Sequence, residues 1–304
     1  MQQTAVMFIL ILFGVFLYKK GVFTKRGGKQ LSNFVISAVC PVLIFTSFQK
    51  PMEERLVKGL LMAFLMATLS HIASIAVSTV IFREKNRGEN YAVERFASIY
   101  SNCAFLGIPL VNSVYGSDGV FFITAYIAMF NIFSWTHGVM VMKGKMNVKS
   151  FLHAVKAPAV IAAVVGAVFF FAGILLPEII IEPLNYVASL NTPLAMIVSG
   201  IMIAQSDLKK ALKNGGIYLT CIVKMLAAPL ISMFIFLPLG ADEIVTYTMI
   251  IAASAPTAAS TIMFANKHGR NGVYASEIFA MTTLLSVVTM PLMLVLAENV
   301  YTLI

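Results

Sequence analysis

Ser101-Asn102-Cys103-Ala104-Phe105-Leu106-Gly107-Ile108-Pro109 interrupts one apolar run of this chain, and Ser254-Ala255-Pro256-Thr257-Ala258-Ala259-Ser260-Thr261 interrupts another. Each stretch sets proline and small polar residues in the middle of a segment long enough to cross a bilayer. A proline inside a helix removes one backbone hydrogen bond, and its ring clashes with the carbonyl one turn earlier, at a cost of about 3 kcal/mol or more. In hydrocarbon the freed groups cannot turn to water, so non-helical backbone survives only against protein or a wet cavity. Both stretches therefore read as broken helices inside a membrane bundle.

The surrounding composition agrees. Of 304 residues, 59% are hydrophobic and only 12% are charged, whereas a water-soluble domain is about half apolar. The formal charge of +9 would suggest a nucleic-acid partner only if the Lys and Arg shared one soluble surface. Here they occupy short gaps between apolar runs, so no nucleic acid is expected and the lipid bilayer is the solvent. Cys40, Cys103 and Cys221 lie within apolar segments, without the paired spacing of a disulfide framework or a metal site, and no cofactor motif accompanies them. No basic residue precedes the first apolar run, and Lys19 and Lys20 follow it. That run is expected to remain as a helix rather than to be removed as a signal.

A helix crossing about 30 Å of hydrocarbon needs about 20 residues. Cutting the chain at charges and Gly or Pro clusters gives ten spans, at roughly 4–19, 30–49, 58–82, 95–115, 119–142, 153–176, 184–205, 213–239, 244–266 and 272–297. Basic residues crowd the gaps after the odd-numbered spans: Lys19, Lys20, Lys25, Arg26 and Lys29; Arg83, Lys85, Arg87 and Arg95; Lys143, Lys145, Lys149 and Lys156; Lys209, Lys210 and Lys213; Lys267 and Arg270. The gaps after even-numbered spans hold only Lys50, Arg55 and Lys58. The excess of Lys and Arg marks the cytoplasmic side, which puts both termini outside a multi-pass cytoplasmic membrane protein.

The chain also resembles itself. Asn33-Phe34-Val35, Ser37 and Pro41 match Asn185-Tyr186-Val187, Ser189 and Pro193 at a spacing of 152, and Gly116, Gly119 and Val120 match Gly269, Gly272 and Val273 at 153. The halves are residues 1–150 and 151–304. Each repeated unit holds five spans, an odd number, so the second must enter the membrane from the opposite side. The expected fold is thus an all-α membrane protein of ten transmembrane helices in two inverted five-helix repeats, with spans 4 and 9 broken and crossed. Inverted repeats mark secondary transporters, whose site lies near the midplane. The offset sets Pro256 opposite Cys103, beside Asn102, while Pro109 lies six residues further on; the break in span 4 falls anywhere from Asn102 to Pro109.

A broken helix exposes a fresh N-terminus carrying roughly +0.5 charge and unpaired N–H groups. Ser101, Asn102, Thr257 and Ser260 can donate hydrogen bonds there, and neither interruption contains a carboxylate. A small organic anion bearing a carboxylate is the expected ligand. The candidate binding residues are Ser101, Asn102, Cys103, Gly107, Pro109, Asn131, Ser254, Pro256, Thr257 and Ser260. Lys224 sits near the centre of span 8, where a basic residue costs about 3 kcal/mol to insert, and its repeat-related position is His71 in span 3. Both are candidates for proton coupling or charge compensation, with interhelical packing as the alternative. Glu277, five residues into span 10, is expected to snorkel or to pair with a loop lysine, and Trp135 to anchor an interface. His137, His153 and His268 have no ligand spacing.

An intramembrane enzyme would need paired aspartates, a Ser/His pair or a metal motif at matching depth. No Asp lies within a span and no H-E-x-x-H occurs, so the chain is not expected to be an enzyme. Two further alternatives keep the fold: a sodium-coupled organic-anion symporter of bile-acid type, and a solute sensor that moves nothing.

The Asn102-to-Pro109 stretch, Thr192-Pro193-Leu194-Ala195, Ser254-Ala255-Pro256-Thr257-Ala258 and Pro291 resemble the auxin efflux carrier family over essentially the whole chain. The resemblance implies a scaffold of spans 1, 2, 6 and 7 and a mobile transport domain of spans 3–5 and 8–10. It implies an elevator mechanism and, as in many members, a homodimer through the scaffold. Bacterial relatives include carriers assigned to malate and malonate. The family's crossover Asn maps to Asn102 and its second-repeat Pro to Pro256. Cys103-Ala104 departs from the Thr-Gly that relatives often carry, and the long loop of the plant members is absent between spans 5 and 6.

Overall fold

A computed structural model describes residues 2–144 and 155–301. Its regular elements are all helical. In chain order the longer ones are α1 (Gln2–Lys19), α2 (Lys25–Ser47), α3 (Glu54–Ile81), α4 (Tyr91–Ile99), α5 (Cys103–Lys143), α6 (Pro158–Phe171), α7 (Glu178–Ser189), α8 (Asn191–Ala204), α9 (Gly215–Leu239), α10 (Glu243–Ser254), α11 (Ser260–Lys267) and α12 (Gly272–Tyr301), with short helical turns at Glu84–Arg87, Gly88–Asn90 and Leu208–Ala211. Among the described residues, six stretches are long and apolar enough to cross a membrane: α2, α3, α5, the continuous pair α7 and α8, α9 and α12. Residues Ala5–Lys19 of α1, with α6 and α10, form shorter apolar helices. The long α5 is not straight: Gly116 adopts φ 57, ψ −145 inside it, a conformation open to glycine because it has no Cβ. The boundary at 150/151, Lys145, Lys149 and His153 lie outside the described residues.

Three helices contain a widened π turn ending two residues before a proline: Val35–Val39 before Pro41, Cys103–Gly107 before Pro109, and Val223–Ala227 before Pro229. Inserting one residue into the turn moves the carbonyl that the pyrrolidine ring would strike. Pro109 is thereby accommodated within a continuing helix. The interruption lies in residues 100–102, overlapping the expected interval only at Asn102, and the helix resumes at Cys103 despite the Cys103-Ala104 departure.

The helices pack in two groups. In the first, α1 lies on α8 at backbone contact: a Cβ on Gly14 would collide with the Ile197 carbonyl oxygen, and one on Gly200 with the Ile11 carbonyl oxygen. Close approach through small residues is how helices gain contact where lipid is as apolar as leucine. α6 and α7 complete this group against the second half of α2. In the second group α3 packs on α5 and α9, α5 on α10, and α12 on α10 and α11. Phe48, Phe121 and Phe170 join the groups, with ring centroids 4.7 Å apart for Phe48 and Phe121 and 5.2 Å for Phe121 and Phe170.

Polar contacts collect at the two ends of the bundle. At one end Asp118 accepts from Lys50 at 2.6 Å and from Arg55 at 2.9 Å, and Arg55 reaches Asp242 at 3.6 Å. At the other, Arg270 donates to the Met142 carbonyl at 3.0 Å, and Lys267 lies over the Trp135 ring at 5.1 Å. Between the ends, Ile9, Phe13, Val164, Val168, Phe234 and Val288 face outward, as a lipid-facing surface requires.

Candidate functional site

α4 ends at Ile99 and α5 begins at Cys103; α10 ends at Ser254 and α11 begins at Ser260. The linking backbone is extended at Tyr100 (φ −92, ψ 113) and at Ala255 (φ −59, ψ 146). These two links meet. Ser101 and Thr257 form an isolated antiparallel bridge. The Asn102 N–H donates to the Pro256 carbonyl at 2.6 Å, and the Ala258 N–H to the Tyr100 carbonyl at 2.9 Å. Each broken helix thus satisfies backbone groups that the other has freed, which membrane burial demands.

Side chains finish the exchange. Thr257 Oγ1 donates to the Ala97 carbonyl at 2.9 Å, and Ser101 Oγ donates to the Ala253 carbonyl at 3.2 Å. Each covers an orphan carbonyl at the end of the opposite half-helix. Ser254 Oγ turns back to the Ile250 carbonyl at 2.7 Å.

Lys224 enters from the π turn of α9 and is 1% exposed. Its Nζ donates to Ser101 Oγ and, at 3.0 Å, to the Ala253 carbonyl. No described carboxylate pairs with it. Two neutral acceptors stabilise an ammonium poorly once it has left water, so Lys224 at the crossing either gives up its proton or needs negative charge beside it.

Two candidate residues keep unused donors beside the bridge. Asn102, 5% exposed, leaves Nδ2 without a partner, as Ser260 does its Oγ. They flank the starts of α5 and α11, where helix dipole and free N–H groups favour an anion. Ser101, Asn102, Pro256, Thr257 and Lys224 are therefore together, with Cys103 next in chain. Gly107 and Pro109 lie further along α5. Asn131 spends its amide on the Ile127 carbonyl of its own helix, at 2.8 Å.

His71 stands in an aromatic enclosure, 4.8 Å from the Tyr126 ring and 5.2 Å from that of Phe133. Its Nδ1 donates to the Ala67 carbonyl at 2.7 Å, which leaves Nε2 as an acceptor without a partner. It makes no hydrogen bond with Lys224. The Tyr126 hydroxyl instead links through Ser70, at 3.3 Å, to Ser232, a further 2.9 Å away.

Glu277 is 1% exposed, with Oε1 unpartnered and no ion pair among the described residues; the short helix Leu208–Ala211 packs on α12, and its Lys210, a loop lysine, is near enough to act on the carboxyl electrostatically.

Two buried polar groups escaped the sequence reading. Glu94 accepts from Arg87 through both oxygens and from the Tyr274 hydroxyl at 2.7 Å; its position beside the basic loop residues was the available signal. Asn191, 1% exposed, has neither amide atom partnered. A lone Asn in mid-span just ahead of Thr192-Pro193 was the signal there.

Residues 1–148 and 141–294 of this apolar helical bundle, with its bridged and interrupted helices, match the membrane transport protein family. The chain belongs to that family, the auxin efflux carrier family. It is 24% identical over 301 residues to an uncharacterized transporter of Methanocaldococcus jannaschii, covering 93% of this chain and 94% of that one. An uncharacterized transporter of Methanothermobacter thermautotrophicus is 25% identical over 296 residues, covering 93% and 94%. A putative malonate transporter of Rhizobium meliloti is 24% identical over 286 residues, covering 88% and 87%.

Proposed function

We propose that this protein carries a small organic anion, a carboxylate, across the cytoplasmic membrane by elevator-type alternating access. The observation that carries this reading is Lys224: a buried amine with no carboxylate partner among the described residues, donating to Ser101 of the bridge and to the Ala253 carbonyl; protonated, it would call for an anion beside it. A bound carboxylate would supply the missing charge. Asn102 Nδ2 and Ser260 Oγ would donate to it, while Ser101, Thr257 and Ser254 hold the backbone and Cys103 and Pro256 shape it. His71, with its free Nε2, is the second titratable group. The relative described as a putative malonate transporter makes a short dicarboxylate the first solute to test.

The mobile unit would be α3–α5 with α9–α12, moving against α1, α2 and α6–α8. The Gly14 and Gly200 contact supports a rigid scaffold. The exposed Phe13, Phe34, Ile179 and Tyr186 give that scaffold an apolar face for a second copy in a homodimer. Two inverted five-helix repeats of ten spans are supported by the reciprocal caps at the crossing and by positive φ at both Gly116 (57°) and its repeat mate Gly269 (68°). Both termini would face outward, as the basic loops require.

Counterflow in proteoliposomes tests the reading, with labelled mono- and dicarboxylates and an indole acid, at two pH values, with and without Na⁺. Saturable counterflow of a carboxylate without Na⁺ is the expected result. Strict Na⁺ dependence would move the protein to the sodium-coupled class, and binding without counterflow would make it a sensor.

A further inference from the structure

Asn191 is the first residue of α8, separated from α7 by the single residue Leu190, and stands at the centre of the Glu178–Ala204 span. It is 1% exposed, and neither Oδ1 nor Nδ2 has a partner. Asn131 shows how a buried asparagine in a helix is ordinarily quieted, by donating to the carbonyl four residues back. Asn191 does not do this. An amide held in a membrane interior with both ends unpaired is costly unless something else completes it.

The surroundings say what that is. α8 packs on the Val35–Val39 turn and on the Cys103–Gly107 turn, and the second of these follows directly on Asn102, whose Nδ2 is also unpartnered and buried. One unpaired amide thus stands at the start of α8 and the other directly ahead of a turn on which α8 packs, one in each helical group. Their needs differ. Asn102 lacks only an acceptor, whereas Asn191 lacks both an acceptor and a donor. A bare carboxylate would satisfy Asn102 and the ammonium of Lys224, but it would leave Asn191 Oδ1 unpaired. A hydroxyl or a protonated carboxyl both accepts and donates.

We infer that Asn191 is a substrate-binding residue that holds the second polar end, a hydroxyl or protonated carboxyl, of a two-ended carboxylate whose ionised end lies at Asn102 and Lys224. The inference rests on the carrier reading above and adds a residue from the opposite helical group to its site. It also gives a reason for solute binding to couple the groups, since each would hold one end.

The test is uptake into proteoliposomes by wild type, Asn191→Leu and Asn191→Ser, with labelled malonic acid and labelled propionate at matched concentrations. Asn191→Leu keeps the size of the side chain and removes an unpaired amide, so thermal stability in detergent should hold or rise. Its half-saturation concentration for the dicarboxylate should rise about tenfold, the factor expected for roughly 1.4 kcal/mol of lost hydrogen bonding, while that for propionate stays put. Asn191→Ser, which keeps a donor and an acceptor, should fall between and carries the comparison if the leucine variant does not fold. Unchanged dicarboxylate uptake in both variants overturns the inference while leaving the carrier reading intact. Equal weakening for both solutes makes Asn191 structural and also overturns it. If wild type takes up neither solute nor any other carboxylate, the carrier reading fails and this inference with it.

Discussion

The backbone N–H of Asn102 donates to the carbonyl oxygen of Pro256 at 2.6 Å, locking one broken helix to the other. The bond uses backbone atoms alone and leaves the Asn102 side-chain Nδ2 unpartnered. Asn102→Ala should therefore fold with wild-type thermal stability yet lose uptake by about tenfold or more, the worth of a hydrogen bond to a charged group. Transport at the wild-type rate would remove Asn102 from the site.

Lys224→Met removes the buried amine together with both of its hydrogen bonds. Carboxylate uptake should fall by at least about tenfold, since hydrogen bonds to charged groups contribute about 1.5–3 kcal/mol. The pH profile of residual uptake separates two roles. A profile flattened relative to wild type makes Lys224 the proton-coupling group; an unaltered shape leaves it as fixed counter-charge. Uptake that is not reduced at all would contradict the charge argument.

Glu94 is fully buried and takes hydrogen bonds from Arg87 and Tyr274, so it ties α4 and α12 to the loop between α3 and α4. Removing one partner of a buried pair strands the other, at about 3–5 kcal/mol for full burial; Arg87 is 25% exposed, which lowers the expectation to roughly 2–3 kcal/mol. Glu94→Gln should lower the melting temperature in detergent, and Tyr274→Phe should do so by less. A variant as stable as wild type would show that water replaces the pair freely.

At Gly200 a methyl group would run into the Ile11 carbonyl oxygen. Gly200→Ala should force α1 and α8 apart and destabilise by about 1–3 kcal/mol, the usual cost of overpacking. Its yield as a monodisperse species on size-exclusion chromatography should drop, and Gly215→Ala, where nothing stands near, serves as the control. Equal yields would mean that the helices do not rely on this contact.

His268 follows the end of α11, and partial burial beside Lys267 and Lys143 holds its imidazole below the usual histidine value. The unfolded chain then binds the proton more readily than the folded one. The stability linked to His268 is present above the unfolded value of about 6.5 and is lost as the pH falls through and below it. Melting temperatures at about pH 7.5 and 5 should differ more for wild type than for His268→Gln. Identical differences would show that His268 does not contribute to acid sensitivity.

Much of this was legible in the residues. The two interruptions, their proximity and the central depth of Lys224 follow from the placing of proline and charge within apolar runs, since a bilayer tolerates neither freely. Pro109 was misleading as a marker of the break, because a widened turn can absorb a proline without ending a helix, and spacing does not distinguish the two outcomes. Glu277 was legible only in part for a related reason: depth along a helix can be counted, but which loop lysine comes near it, Lys210, is a matter of tertiary neighbours. Asn191 offered one signal, a lone asparagine in mid-span, but an asparagine looks the same in sequence whether or not its amide finds a partner.

By itself, then, the sequence determined that this is a helical membrane chain with one helix broken between Asn102 and Pro109 and another near Pro256, because hydrophobic runs and backbone sterics act over a few neighbouring residues. Only the tertiary structure decided that Ser101 and Thr257 cap each other's half-helices, that Lys224 reaches Ser101 without a carboxylate partner, and that Asn102 and Asn191 are left unpaired. Those are satisfactions and omissions between residues far apart in the chain, and hydrogen-bond partners can be counted only once the helices have packed.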